Sequence, residues 1–307
     1  MGLRIRTNIQ SLVAQRNLAQ STDKASRHME KLASGYRINR AADDAAGMAI
    51  SEGLRADIRS LNQARRNAND GVSLLQVAEG GLEEINNIAI RLRELSIQAA
   101  SDTVGGRERD YLNREFMQLK DEVDRIALST EFNGTRLLVG KKELDPEMAM
   151  EQNGWPMEVQ VGKDYLIQSD SLDRPNPVNI IRMDFGGMNA STEGENSLEL
   201  GSAQNDSGTR IDTKVAAQNT INVLDQALNK IASFRGTIGS LQSRLESTDR
   251  NLAIGVEGLG AAKSRIKDAD YAYETAEYTQ ASILTQSGAS VLTQANQLPN
   301  VALKLLQ

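Results

Sequence analysis

The residues that could carry enzymatic chemistry are few. The chain contains no cysteine and a single histidine, His28. A thiol nucleophile and a thiolate metal site are therefore excluded, because each needs cysteine, and no site built on several histidines can form. An HExxH zinc protease is excluded as well, since it needs two histidines. We expect no enzyme, no cofactor and no metal site, and we interpret His28 as an ordinary residue on a helix surface.

Two short motifs have structural interpretations. The glycines of 255–260 are spaced as GxxGxG inside a predicted helix, whereas a dinucleotide-binding loop needs GxGxxG directly after a strand. We interpret these glycines as packing positions. Asp43 and Asp44 could form a carboxylate pair for acid–base work. Their place after a break in the first predicted helix instead favours turn formation and capping of the next helix.

The composition favours long helices over one large globular core. Aromatic residues make up only 4% of the 307 residues, and aromatic side chains supply the largest buried areas. The net charge of −6 argues against nucleic-acid binding, which usually shows a basic face. No run approaches the ~20 apolar residues of a membrane span. We therefore expect no membrane insertion, and polar residues near the N-terminus predict no secretory signal peptide.

The two ends of the chain carry opposite charge. Residues 1–40 hold eight basic and two acidic residues, and residues 268–307 hold four acidic residues and one basic. Either the opposite charges arise by chance among solvent-exposed residues, or they indicate that the two ends lie beside each other.

Heptad spacing dominates the first half of the chain. Thr7 and Gln10 form a capping box for a helix that runs to about residue 33. A second predicted helix spans about 43–100, followed by a turn and a third helix. The second helix carries a stripe with a mean spacing of 3.5 residues, which predicts coiled-coil packing. That stripe is Ala64, Ala68, Val72, Leu75, Ala78, Leu82, Ile85, Ile88, Leu92, Leu95 and Ala99.

Residues of about 130–208 have a different character. Four of the five prolines and the only tryptophan, Trp155, lie between 146 and 177. Short β-like runs appear at 158–161, 165–168 and 178–185. The segment predicts a small β-rich insert with loops.

Helical spacing returns near residue 210 and continues to the C-terminus. A stripe from Ile221 to Leu259 again repeats close to every 3.5 residues. The glycines within this helix suggest close contact with a neighbouring backbone. After a break near 266–270, the last helix carries a stripe that includes Leu284, Gly288, Val291, Ala295 and Leu298. Pro299 should kink this helix or end it early.

These elements predict a mainly α fold. The simplest arrangement is a long antiparallel coiled-coil helical rod with the N- and C-terminal helices paired and the small β-rich insert at the distal end. An isolated helix of about 30 residues with a thin seam is marginal in water. We therefore expect both ends to be disordered in a monomer and to fold on assembly.

Several long motifs resemble bacterial flagellins. Residues 32–50 read LASGYRINRAADDAAGMAI, close to the family signature LSSGLRIN…DDAAGLAI. Residues 61–71, 93–100 and 131–134 continue the pattern in the expected order. Near the C-terminus, residues 244–247, 264–271 and 294–297 with Pro299 are similar to the second family signature. The resemblance covers about 1–139 and 209–307.

The resemblance implies a structural filament subunit used for motility. It implies an N-terminal core helix and spoke at 1–42, a long-helix domain at 43–139 and 209–266, a variable β-rich outer insert at 140–208, and a C-terminal core helix at 267–307. It also implies unfolded export by the flagellar type III system to an extracellular flagellum. The implied partners are other copies of the chain, an export chaperone on the C-terminal arm, and cap and hook-junction proteins.

The resemblance also implies recognition by an innate immune Toll-like receptor. The matching positions are Arg91, Leu95 and Glu115. The surrounding residues depart from the family pattern at Ile90 and Ser96.

Other interpretations remain beside the filament subunit. A hook–filament junction protein shares the terminal helices, although the match around 93–98 favours the main subunit. A membrane-inserting translocator would need a strongly apolar helix. Ser191 and Thr192, in the predicted outer insert, are candidates for O-linked sugar.

Overall fold

The computed structural model describes residues 8–140, 157–164, 179–185, 187–193, 197–201 and 208–304. The mainly α class predicted from the sequence is confirmed. The described helices are α1 (Ile9–Ser34), α2 (Ala45–Ala100), α3 (Gly106–Ser129), α4 (Lys214–Lys267) and α5 (Tyr271–Lys304). Two antiparallel two-stranded sheets pair β1 (Glu131–Phe132) with β2 (Thr135–Arg136) and β3 (Met157–Gln160) with β4 (Ile180–Met183). The β-like run at 165–168 and Trp155 lie outside the described residues.

The chain divides into two compact units. The terminal unit contains the residues up to 59 together with those from 256 onward, and the central unit contains residues 60–255. Both α2 and α4 contribute residues to each unit. The two units are described separately below.

In the central unit, the predicted stripe of α2 forms the hydrophobic core. Nine of its eleven positions are buried, and Val72 and Ile88 are half-buried. A stripe at 3.5-residue spacing stays on one face of a helix, and most of these side chains share one buried cluster with residues of α3 and α4, such as Phe116 and Leu224. Ion pairs place α4 antiparallel to α2 within this unit: Arg65 Nε lies 2.9 Å from Asp249 Oδ1, and Arg93 Nε lies 2.7 Å from Asp225 Oδ1.

The described parts of the β-rich segment belong to this same core. Phe185, Leu198 and Leu200 are buried in one cluster with the helical residues. The β3–β4 hairpin is tied to α2 by Asn67, whose Nδ2 donates to the Gln160 carbonyl at 3.0 Å. These residues are therefore packed against the helices.

A buried lysine anchors the chain that leads into α4. Lys120 Nζ donates to the Leu200 carbonyl at 2.8 Å and to the Thr209 carbonyl at 3.3 Å. The ammonium also lies 6.0 Å from the centre of the Phe116 ring. Burial lowers the pKa of Lys120 to about 8, because removal from water disfavours its charged form.

In the terminal unit, α1 and α5 pack side by side and antiparallel. The beginning of α1 meets the end of α5 through Ser11, whose Oγ donates to Asn296 Oδ1 at 2.7 Å. The end of α1 meets the beginning of α5 through Lys31 and Glu274, which lie 3.2 Å apart. The predicted pairing of the N- and C-terminal helices is confirmed.

Local carboxylate and backbone contacts set the end of α1 and the start of α2 in the terminal unit. Asp44 Oδ1 accepts from the Gly47 amide at 2.9 Å and caps α2, as predicted. Asp43 Oδ2 accepts from the amides of Asn39 and Arg40 and stabilises the preceding turn. Gly35 ends α1 with a φ of 72°, a conformation that favours glycine.

Three local predictions differ, wholly or in part, from the structure. Asn8 is the N-cap of α1 and Thr7 lies outside the described residues, so the predicted capping box does not set the helix start. Of the two effects predicted for Pro299, a kink or an early end, the early end is contradicted, because α5 continues through Pro299 to Lys304. The α4 glycines do not lie against a neighbouring backbone: a Cβ at Gly236, Gly239, Gly258 or Gly260 would meet nothing within 4 Å.

Candidate assembly interface

Small residues fill the seam between α1 and α5. In α1 the inward positions recur at alternating steps of three and four residues, and α5 shows the matching pattern. This spacing is that of a coiled coil. The seam residues are Ser11, Ala14, Leu18, Ser21, Ala25 and His28 in α1, and Glu274, Tyr278, Ala281, Thr285, Gly288, Leu292 and Ala295 in α5.

The helices approach closely at Gly288. A Cβ added to Gly288 would lie 3.3 Å from Leu18 Cδ1, so even an alanine would crowd the seam. Most side chains in the seam are small and carry little apolar area to bury. The two helices therefore gain only modest hydrophobic stabilisation from each other.

A buried carboxylate lies at the other end of the seam. Glu274 is 3% exposed, and its Oε2 lies 2.6 Å from His28 Nδ1. Lys31 Nζ donates to the other carboxylate oxygen at 3.2 Å. Burial alone would raise the pKa of Glu274, but the hydrogen bonds from His28 and Lys31 outweigh it and hold the pKa below its usual value. His28 is thus half-buried and bonded, and its interpretation as an ordinary surface residue is wrong.

Most of the larger apolar side chains of both helices face away from the seam. Leu284 is 49% exposed and Val291 is 55% exposed, so the predicted stripe of α5 is not the one that packs against α1. The packed stripe is shifted by one residue from Leu284 and Val291, although Gly288 and Ala295 belong to both. An open groove along α5 adjoins this apolar face, and α1 has an equivalent exposed set. The α1 set is Ile9, Leu12, Val13 and Met29, and the groove is lined by Ala272, Thr275, Ala276, Thr279, Gln280, Ile283 and Leu284.

The predicted receptor residues lie in the central unit. Arg91 and Glu115 are exposed and form an ion pair, with Nη2 and Oε1 2.8 Å apart. Arg91 also pairs with Glu94 at 3.0 Å. Leu95 is only 1% exposed and belongs to the hydrophobic core. The structure therefore brings two of the three residues together at the surface and places the third beneath them.

The candidates for O-linked sugar are not accessible. Ser191 is 6% exposed and Thr192 is fully buried. Asp124 on α3 binds Thr192 twice, accepting from its amide and its hydroxyl, each at 2.7 Å. The prediction of modification at these two residues is wrong, because they pack against the helices.

No group of three or more His, Cys, Asp or Glu residues that could hold a metal ion occurs among the described residues. Within those same residues, no helix has both the length and the apolar character needed to cross a membrane.

Comparison with known proteins gives consistent matches at both ends of the chain. Residues 5–143 match the family model of the bacterial flagellin N-terminal helical region, and residues 221–306 match that of the C-terminal helical region. A flagellin of Halalkalibacterium halodurans is 38% identical over 303 residues, covering 99% of both chains. The flagellar filament 33 kDa core protein of Treponema phagedenis is 37% identical over 304 residues, again covering 99% of both. A solved flagellar hook-associated protein of Vibrio parahaemolyticus shares the fold, with a TM-score of 0.55 at 14% identity, over 74% of this chain and all of that one.

Proposed function

The chain belongs to the flagellin family of flagellar filament subunits, and we propose that α1 and α5 complete their packing only when copies of it polymerise. The apolar residues that face away from the α1–α5 seam carry this proposal. A half-exposed Leu, Ile or Val contributes about 1 kcal/mol when it is fully buried. Several such residues on each helix can stabilise contacts with neighbouring copies, whereas the small seam within one chain cannot supply as much.

Protease digestion of soluble chain and polymer tests this coupling. We expect the terminal helices to be cleaved rapidly in the soluble chain and to be protected in the polymer, because ordering them requires neighbours. Deletion of residues 270–307 should leave the central unit folded and abolish polymerisation. Equal resistance of the ends in both forms would refute the proposal.

Two variants of α5 distinguish the loss of an apolar contact from general destabilisation of the helix. Leu284→Ser removes an outward apolar side chain, and Gln286→Ser changes an exposed polar residue two positions away. We expect the first variant to raise the critical concentration for polymerisation and the second to leave it unchanged, with the helical content of both soluble chains unaltered. Equal critical concentrations for the two variants would contradict the role of the outward face.

We further propose the positions of the segments in the filament. Residues 1–42 and 267–307 form its inner layer, residues 43–139 and 209–266 surround that layer, and residues 140–208 face outward. The family resemblance supports this order, and the exposed apolar residues of α1 and α5 fit an inner position. Electron microscopy of polymer assembled from purified chain tests it, and also separates the subunit from a hook–filament junction protein. Long uniform filaments support the subunit, and failure to elongate supports the junction protein.

Partners in export and at the ends of the filament are part of the same proposal. The chain leaves the cell unfolded through the flagellar type III system, and a chaperone covers the C-terminal arm beforehand. The exposed Ile283, Leu284 and Val291 support the second point, since an unpolymerised chain would otherwise present them to water. Cap and hook-junction proteins would contact the same terminal helices. If cells that lack the export apparatus secreted as much of the chain as cells that have it, this route would be refuted.

We propose recognition by a Toll-like receptor through the exposed Arg91–Glu115 pair. Leu95 would act indirectly, by holding α2 in place from below. Arg91→Ala should reduce stimulation of receptor-bearing cells. Arg125→Ala removes another exposed arginine, which pairs with Glu122 on α3, and it should leave stimulation unchanged. An equal loss in both variants, or in neither, would overturn the assignment.

A further inference from the structure

The last part of α5 contains a carbonyl that its own helix cannot satisfy. In an α-helix the carbonyl of each residue accepts from the amide four positions later. The partner of the Ala295 carbonyl would be the amide of residue 299, and that residue is Pro299, which has no amide hydrogen. The helix nevertheless continues to Lys304.

A side chain from the other end of the chain supplies the missing donor. Asn8 Nδ2 donates to the Ala295 carbonyl at 2.8 Å, across a separation of 287 residues. Ala295 is 6% exposed, so water has poor access to this position. A proline ring also tends to push the carbonyl four residues earlier away from the helix axis, which makes that oxygen available to an outside donor.

The same amide group caps the first turn of α1. Asn8 Oδ1 accepts from the Ser11 amide at 3.1 Å, so the oxygen serves one helix and the nitrogen serves the other. Asparagine suits this position because serine or aspartate would provide an equally good cap but no nitrogen donor at that reach.

We propose that Asn8 is a positioning residue that replaces the amide missing at Pro299 and so fixes the register of α1 against α5 during assembly. The inference rests on the proposed function, in which these two helices pack in the polymer. It adds a specific pairing between one residue of the N-terminal segment and one of the C-terminal segment. Glu274, with His28 and Lys31, holds the register at the other end of the seam. Asn8 supplies the corresponding contact at this end.

A double-mutant cycle tests the pairing in the full-length chain. Asn8→Ser keeps an oxygen for the cap but withdraws the donor from Ala295. Pro299→Ala gives α5 an amide that can satisfy the same carbonyl. We expect Asn8→Ser to raise the critical concentration for polymerisation about 5- to 10-fold, since a buried acceptor would be left unsatisfied. In the Pro299→Ala background, the same substitution should change it less than about twofold.

A neighbouring hydrogen bond provides the matched control. Ser11→Ala removes the bond to Asn296 and leaves the Ala295 carbonyl untouched. Its effect should therefore be equal in the two backgrounds. Equal effects of Asn8→Ser in both backgrounds would overturn the inference, because the loss would then come from general weakening of the seam.

Hydrogen exchange in the soluble chain distinguishes failure of this inference from failure of the proposed function. If the unmodified chain does not polymerise, the proposed function fails. The same cycle is then read from amide protection around residues 288–297. If residues 288–297 are protected in the unmodified chain, loss of protection in Asn8→Ser that Pro299→Ala restores supports the pairing, and loss without restoration, or no loss, refutes it. Absence of protection in the unmodified chain also refutes it, because α1 and α5 would then pair in neither form.

Discussion

Two adjacent glycines in α2 should respond to the same substitution with opposite sign. A Cβ at Gly80 would meet nothing within 4 Å, whereas a Cβ at Gly81 would lie 2.7 Å from Thr130 Oγ1 and 2.9 Å from Leu138 Cδ1. Neither neighbour of Gly81 can move easily. Thr130 Oγ1 donates to the Ile126 carbonyl at 2.7 Å, and Leu138 is fully buried.

The expected magnitudes follow from these distances. Gly80→Ala should stabilise the central unit by about 0.5–1 kcal/mol, because glycine is the poorer helix former and the new methyl group has open space. Gly81→Ala gains the same helix propensity but overpacks its site, which typically costs about 1–3 kcal/mol. Its net effect should be a loss of about 1–2 kcal/mol. The two variants should therefore differ by roughly 2–3 kcal/mol.

Thermal unfolding followed by circular dichroism measures this difference. The central unit spans residues 60–255, and for a unit of this size about 1 kcal/mol moves the midpoint by roughly 2–4 °C. We expect Gly80→Ala to melt above the unmodified chain and Gly81→Ala to melt below it. Shifts of equal sign and size would refute the close packing of α2 against the segment that follows α3.

Three further substitutions test other contacts of the two units. Lys120 has a pKa of about 8 in the folded chain and 10.5 when unfolded, so the unfolded chain binds more protons between these values. The free energy of unfolding should therefore rise by about 1–3 kcal/mol as pH increases from 8 to 10.5. A urea-unfolding series should show this rise for the unmodified chain and not for Lys120→Met. Glu274 has a lowered pKa, so its stabilising contribution is present above pH 4.5 and is lost as pH falls through the pKa of the folded chain. Glu274→Gln should weaken the polymer at pH 7. In sedimentation assays, the difference in polymer stability between this variant and the unmodified chain should shrink below pH 4.5. Phe116→Ala should destabilise the central unit by about 3–5 kcal/mol because Phe116 is fully buried, and a urea-midpoint shift of less than about 1 kcal/mol would contradict its place in the core.

The central unit could be predicted closely from the sequence because its apolar stripe is buried within one chain. Leu75, Leu82 and Leu92 recur at heptad spacing, and the structure buries all three. The end of α2 followed from an ordinary signal, the turn before α3. Here the large apolar residues and the packed residues are the same residues.

The terminal unit could not be predicted in the same way. Leu284 and Val291 form a convincing stripe in the sequence, but α1 packs on a face of small and polar residues next to it. A spacing rule selects the most apolar face, and in α5 that face is not the one that packs within the chain. His28 was missed for a related reason, since its partner Glu274 lies 246 residues away and only the fold brings the two together.

The opposite charges of the two ends acquire a physical role from this arrangement. Apart from Leu18, Tyr278 and Leu292, the uncharged seam residues are small and similar, so they oppose sliding of α1 along α5 only weakly. Glu274 removes that freedom: a shift of α1 by one heptad would separate the carboxylate from His28 and Lys31 and leave a buried charge without partners, which is strongly unfavourable. Asn8 acts at the opposite end of the same seam. The register of the terminal helices is thus set by polar contacts at both ends, while the outward apolar residues remain available to stabilise contacts between copies.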